Sequence, residues 1–127
     1  MINITVSGRP ITKKNSQRII TNSRTGRPMI LPSAPFKKYQ KDFIKQTIKH
    51  RPKQAIDEPI NLKTVYYMPT RHRVDITNLM SATHDLLQDA GIIKDDDMKI
   101  VKSVDGSRVE YDKENPRVEI TISNFEE

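Results

Sequence analysis

Residues 69–101 read PTRHRVDITNLMSATHDLLQDAGIIKDDDMKIV, and the reading of this stretch decides the rest of the chain. It opens on a basic loop (Arg71, His72, Arg73), passes into a helix and closes on three consecutive aspartates, Asp95, Asp96 and Asp97. Pro69 excludes helix just before it, and Asp75 or Thr77 can accept the free N–H groups of a first turn. Ile76, Leu79, Met80, Thr83, Leu86, Leu87 and Ala90 recur at three- and four-residue spacing and predict one apolar face. Gly91 follows as the C-terminal stop, where a left-handed residue is wanted. The opposite face carries Asp75, Asn78, Ala82, Asp85 and Asp89. Asp75 and Asp85 lie ten residues apart, about 15 Å along a helix axis, so they cannot share one metal within a subunit. A cation held at the Asp75–Asn78 end needs further ligands from elsewhere, and the triple aspartate is the obvious donor.

Outward from this stretch the pattern predicts a mixed α+β domain spanning residues 1–127. Ile2, Ile4 and Val6 alternate as a half-buried strand. A loop follows, Gly8 to Gln17, with Lys13, Lys14 and Arg18 clustered on it. Arg18–Thr21 and Arg27–Leu31 read as a hairpin around the turn at 22–26, with Arg24 and Arg27 near its tip. Ser33 as N-cap and Pro35 in the first turn predict a helix to about His50. Its buried face is Phe36, Tyr39, Phe43 (or Gln40), Thr47 and Ile48, and Lys37, Lys38, Lys41, Lys45 and Lys49 line the remainder. Ile60 to Met68 alternates as a strand, with Val65 and Tyr67 partly buried on its second face. Lys99–Val104 and Ser107–Tyr111 flank Asp105-Gly106, a hairpin signal, and Arg117–Ser123 supplies the last strand. Both helices are expected to pack on one mixed sheet.

Composition narrows the function. The 127 residues contain no cysteine, which excludes disulfides and thiolate zinc sites and suits a reducing cytoplasm. No apolar run approaches membrane-spanning length, so no membrane association is expected. The net charge of +6 is unevenly spread. Residues 1–53 hold thirteen Lys or Arg against Asp42 alone, a charge of +12, whereas 54–127 hold nine against fifteen acids, −6. A basic half points to a polyanion, most often nucleic acid. Carboxylates gathered beside Arg71 and Arg73 point to a metal held against a phosphate. An EF-hand is excluded because its oxygen spacing and glycine are absent. His72 and His84 are single and not at ligand spacing; His84 reads as a surface or interface residue. Asp85 and Asp89 read as partners of surface bases or of a second subunit.

Asp75-Ile76-Thr77-Asn78-Leu79, Asp85-Leu86-Leu87, Ala90-Gly91 and Asp95-Asp96 together resemble the core of the RusA family of Holliday junction resolvases, over some thirty residues in register. The Pro- and Lys-containing loop from Pro10 to Ser16 and the terminal strand agree with that layout. The resemblance implies a homodimeric, Mg²⁺-dependent endonuclease (Mn²⁺ as an alternative) that nicks four-way junction DNA symmetrically. It implies no nucleotide cofactor, a phage or prophage origin, and a place in the bacterial cytoplasm. Carried over by position, Asp75 and Asn78 match the first motif, and Asp95 and Asp96 the late pair. Asp75, Asp96 and Asn78 are then the catalytic set, and Asp75, Asp95 and Asp96 the metal ligands. Lys13, Lys14, Asn15, Arg18, Arg24, Arg27, Arg71 and Arg73 are the DNA-facing residues. Thr77 stands where the family has a second catalytic aspartate, and Ser81 where it has a catalytic lysine. Asp97 could restore the lost charge, and Lys94, Lys99 or Arg73 the lost cation. These departures also motivate a second expectation, a branched-DNA-binding protein impaired in catalysis.

Overall fold

The computed structural model describes residues 1–13, 17–21, 24–32 and 34–126, with the backbone alone for 17–21 and 28–32. The expected contributions of Lys14 and Asn15, and of Ser33 as a cap, lie outside the described residues, as does the side chain of Arg18.

Nine alternating residues, Ile60–Met68, form the strand β4, on which the sheet is built. β7 (Arg117–Asn124) lies antiparallel between β4 and β1 (Ile2–Ser7), in register from Ile2↔Ile122 on one side and Leu62↔Ile122 on the other. The period-2 pattern places Ile4, Val6, Leu62, Tyr66, Val118, Ile120 and Ile122 on one face, all buried. Two helices cover that face, α1 (Ala34–Thr47) through Phe36, Tyr39 and Phe43, and α2 (Ile76–Asp89) through Leu79, Leu86 and Leu87. β2 (Gln17–Thr21) and β3 (Pro28–Pro32) pair as a separate antiparallel hairpin, with Arg24 and Arg27 exposed near its tip. The architecture is α+β, as the patterning predicts.

One expected hairpin is absent. β5 (Val101–Ser103) and β6 (Arg108–Tyr111) do not pair with each other. Both run parallel to β4, end to end along its outer edge, from Ile60↔Val101 to Met68↔Tyr111. Asp105-Gly106 is therefore a jog in an interrupted edge strand. Its cause is the side chain of Asn61, whose Oδ1 accepts hydrogen bonds from the Asp105 N–H (2.9 Å) and the Ser103 hydroxyl (2.5 Å), while Nδ2 donates to the Asp105 carbonyl at 3.2 Å. The Ser107 N–H closes a turn on the Val104 carbonyl at 3.1 Å, and its hydroxyl accepts the Thr64 N–H at 3.0 Å. Gly106 at φ +90° supplies the left-handed residue, and a Cβ there would meet Lys63 Cδ at 3.0 Å. With its turn groups held by β4, the chain resumes in the same direction.

Two burial expectations also change. Ile48 is 56% exposed, because α1 tightens after Thr47 into a single 3₁₀ turn (Ile48–His50) that carries it off the buried stripe. Ala82, expected on the polar face of α2, is buried, because α2 packs against α1 as well as the sheet and its buried arc is correspondingly wide. Gly91 ends α2 at φ +75°, where a Cβ would stand 2.8 Å from Arg51 Nε. Inside the core the Tyr66 hydroxyl bonds Thr83 Oγ1 at 2.7 Å, and Thr83 in turn donates to the Leu79 carbonyl, tying β4 to α2. Burial pushes the Tyr66 hydroxyl up to about 12, so it stays protonated.

Candidate active site

α2 presents its polar face from Asp75 to Asp89, and what gathers on that face defines the site. Asp75 is the N-cap: its backbone is extended, and its carbonyl accepts the N–H groups of Asn78 (3.1 Å) and Leu79 (3.2 Å). Its carboxylate makes no capping bond and is exposed, so it is available to a ligand. Thr77 follows inside the first turn and is exposed.

The loop after α2 folds back so that Asp96 comes within electrostatic reach of both His84 and Asp85. Burial raises the Asp85 carboxyl above its ordinary range. Lys13, reaching in from the N-terminal loop, opposes the rise, and the charges of Asp96 and Asp89 reinforce it. His84, expected at the surface or an interface, is half-buried, and its Nε2 is enclosed with no hydrogen-bond partner among the described residues. Burial lowers its pKa, against the pull of Asp96 and Asp85. Asp89 accepts a hydrogen bond from Gln40 of α1 at 3.2 Å, a helix–helix tie rather than a pairing with a base.

The three consecutive aspartates differ in their hydrogen bonding. Asp95 accepts the Asp96 N–H at 2.7 Å, and Asp97 accepts the Lys99 N–H at 2.9 Å. Both carboxylates line a shallow recess of about 310 Å³ with Asp57, Lys94, Lys99 and Ile100, in which Lys94 pairs with Asp57 at 3.3 Å. Lys94 and Lys99, candidates for the missing cation, stand at that recess. The charge of Lys13, in the N-terminal loop, acts on the Asp85 carboxyl, and Ser81 is one helical turn before Asp85 on α2.

Arg71 and Arg73 belong to a second cluster, at the N-terminal end of α2. With Met68, Thr70, His72, Val74, Val109, Glu110 and Tyr111 they line an open cavity of about 540 Å³. The Arg71 guanidinium lies over the Tyr111 ring, 4.2 Å from its centroid. A smaller cavity of about 280 Å³ continues from it along Arg9, Pro10, Ile11 and Thr12, joining the N-terminal loop to the same basic rim.

Among the described residues no three His, Asp or Glu side chains stand close enough together to enclose a metal ion. A closed cage of the structural zinc kind is therefore not present in them. The donors do fit a cation of the magnesium kind, which takes one or two carboxylates and completes its shell with water and substrate phosphate oxygens. The charges of Asp96 and Asp89, which add to burial in raising the Asp85 carboxyl, are negative charge of the kind such an ion offsets. Sequence reasoning set Asp85 aside because it is too far from Asp75. The signal for it was the two-turn spacing Asn78–Asp85, which keeps both on one face.

In comparison with known proteins, the family model described as Endodeoxyribonuclease RusA matches residues 3–123. No curated protein matches the chain.

Proposed function

The chain belongs to the RusA endodeoxyribonuclease family, and from that premise we propose that it is a Mg²⁺-dependent nuclease resolving four-way DNA junctions by paired nicks. The observation that carries the reading is the cavity rimmed by Arg71 and Arg73 and lined by Val74, directly before the exposed Asp75 that caps α2.

In this reading Asp75 and Asp96 are the carboxylates that bind the cation, and Asp85 is a third that strengthens the negative field around Asp96. Asn78, one turn into α2, orients the scissile phosphate by hydrogen bonding. Magnesium, when bound, polarises the phosphate and makes its bound water a nucleophile near neutral pH. Arg71 and Arg73 neutralise phosphate charge and fix the strand's position. Lys13 replaces the cation that Ser81 does not provide, and its ammonium stabilises charge developing on the phosphate oxygens. Arg24 and Arg27 at the hairpin tip, with the lysines of α1, extend the phosphate contacts along a DNA arm.

Two nicks on opposing strands require two sites at a fixed separation, which a two-fold homodimer provides. The test is incubation of the purified protein with a mobile four-way junction, a matched duplex and a hairpin RNA, with and without Mg²⁺. Metal-dependent paired nicks confined to the junction support the proposal; cleavage of the RNA or duplex at equal rate overturns it. The second reading, a junction-binding protein impaired in catalysis, is favoured by Thr77, Ser81 and the lack of a three-ligand cluster among the described residues. Tight junction binding with no cleavage in any divalent ion selects it.

A further inference from the structure

The cavity at the start of α2 has two chemically different walls. Arg71 and Arg73 make one wall cationic, with His72 between them. The other is the edge strand β6: Val109 and Tyr111, two residues apart, share one face and are exposed at 37% and 42%, and Glu110 between them pairs with Arg108 at 2.8 Å. The placement follows from the interrupted strand. The Asn61-held jog brings β6 into register with Met68↔Tyr111, and the Asp112 N–H bonds the Met68 carbonyl at 2.9 Å. Leaving β4 after Met68, the chain folds over this edge and sets Arg71 against the Tyr111 ring.

We propose that this cavity is a binding site for one unstacked DNA nucleotide, whose base stacks on the Arg71–Tyr111 pair over Val109 while Arg73 and His72 take its phosphate. The inference rests on the reading of the chain as a DNA nuclease and adds to it how the strand is selected. Phosphate contacts alone need no apolar floor, and bases inside a duplex have both faces covered by neighbours. A half-exposed aromatic ring capped by a guanidinium is a stacking platform only for a base out of its helix. About 540 Å³ lies in the range of pockets that take a small organic ligand. Val74 lines the cavity and Asp75 follows it, so a nucleotide held there leads its strand directly to the α2 carboxylates. Unpaired or readily unstacked bases occur where strands exchange, and such a site favours branched over linear DNA.

The experiment measures binding without divalent ions of a labelled eight-residue oligothymidylate, a matched duplex and a four-way junction. Tyr111→Ala is expected to weaken oligothymidylate binding roughly 5- to 150-fold, the loss of one base–aromatic stack, and duplex binding less than about twofold. Tyr111→Phe should bind as the wild type does. The salt dependence of Tyr111→Ala should be unchanged, whereas Arg71→Ala should make it shallower by about one unit of log–log slope. Because the chain has no tryptophan, Tyr111→Trp places a single reporter in the cavity, and oligothymidylate should quench its fluorescence. The proposal is overturned if Tyr111→Ala binds oligothymidylate normally, if it loses duplex binding equally, or if the tryptophan is not quenched. Wild-type junction nicking in Mg²⁺, assayed alongside, separates the two ideas. Nicking without a stacking effect removes the pocket and keeps the nuclease, whereas a wild type that binds and nicks no DNA removes both.

Discussion

At the scale of single residues the site is a balance of like charges. Burial, reinforced by the charges of Asp96 and Asp89, raises the Asp85 carboxyl above its ordinary range, so its negative charge works against folding at neutral pH. Asp85→Asn is expected to raise stability slightly, by at most about 1 kcal/mol once solvent screening is allowed for, and to slow cleavage. Paired thermal denaturation and junction-nicking assays check both signs. Asp75→Asn and Asp96→Asn should remove cleavage more completely while keeping the fold. Binding of both to junction DNA without metal should hold level or improve, since a carboxylate facing phosphate repels it. Wild-type nicking by Asp75→Asn in Mg²⁺ would sink the assignment. Lys13→Ala should cut the cleavage rate about 10²-fold or more, the scale of losing one group that stabilises transition-state charge. Adding Ser81→Lys to that variant should restore part of the rate, because it returns a cation one helical turn from Asp85. No rescue would mean that Lys13 acts only in binding.

At the scale of elements the edge of the sheet is held by a few polar side chains. Asn61 makes three hydrogen bonds across the jog between β5 and β6, so Asn61→Ala hands the exposed Asp105 backbone groups to water at a cost of about 0.5–1.5 kcal/mol. Urea unfolding should show a lower midpoint with an unchanged slope. The loop at 112–116 is fastened by Arg117, which donates to Asp112 (2.9 Å), Glu119 (2.9 Å) and the Asn115 carbonyl (2.9 Å) and lies 3.8 Å over the Tyr67 ring. The Arg117 hydrogen bond holds the Asp112 carboxyl below its usual 3.8. A depressed carboxylate contributes stability above its unfolded value and loses it as pH falls through the folded one. Arg117→Ala should therefore lower Tm by a few degrees at pH 7, and the gap to wild type should narrow in scans below pH 3.8. A gap independent of pH would assign the loss to the Tyr67 contact instead.

At the scale of the whole molecule, charge asymmetry sets the encounter with DNA. Residues 1–53 carry +12 and the remainder −6, so under the proposed function the first part of the chain is expected to meet the phosphates. Affinity for junctions should fall steeply with salt, and charge-removing substitutions at Lys13 or Arg27 should flatten that dependence. Light scattering at micromolar concentration and moderate salt is expected to give the mass of a dimer; a monomer mass would leave two coordinated nicks without a source.

The sequence by itself determined the elements whose signal is local. The alternation in β1, β4 and β7, the stripe and Gly91 stop of α2, and the aromatic stripe of α1 are each written in residues a few positions apart, and burial followed them. It also carried the family, because the motif from Asp75 to Asp96 is a matter of spacing. Tertiary structure decided whatever depends on a partner distant in sequence. Asp105-Gly106 has the local preference for reversal, yet Asn61, 44 residues away, holds the chain parallel to β4. Asp95, Asp96 and Asp97 are equivalent as sequence, and only the fold of the loop closes Asp95 and Asp97 into local turns while the charge of Asp96 acts on His84 and Asp85 of α2. Arg71 meets Tyr111 for the same reason: side chains far apart along the chain become neighbours only when the sheet and helices have closed the distance.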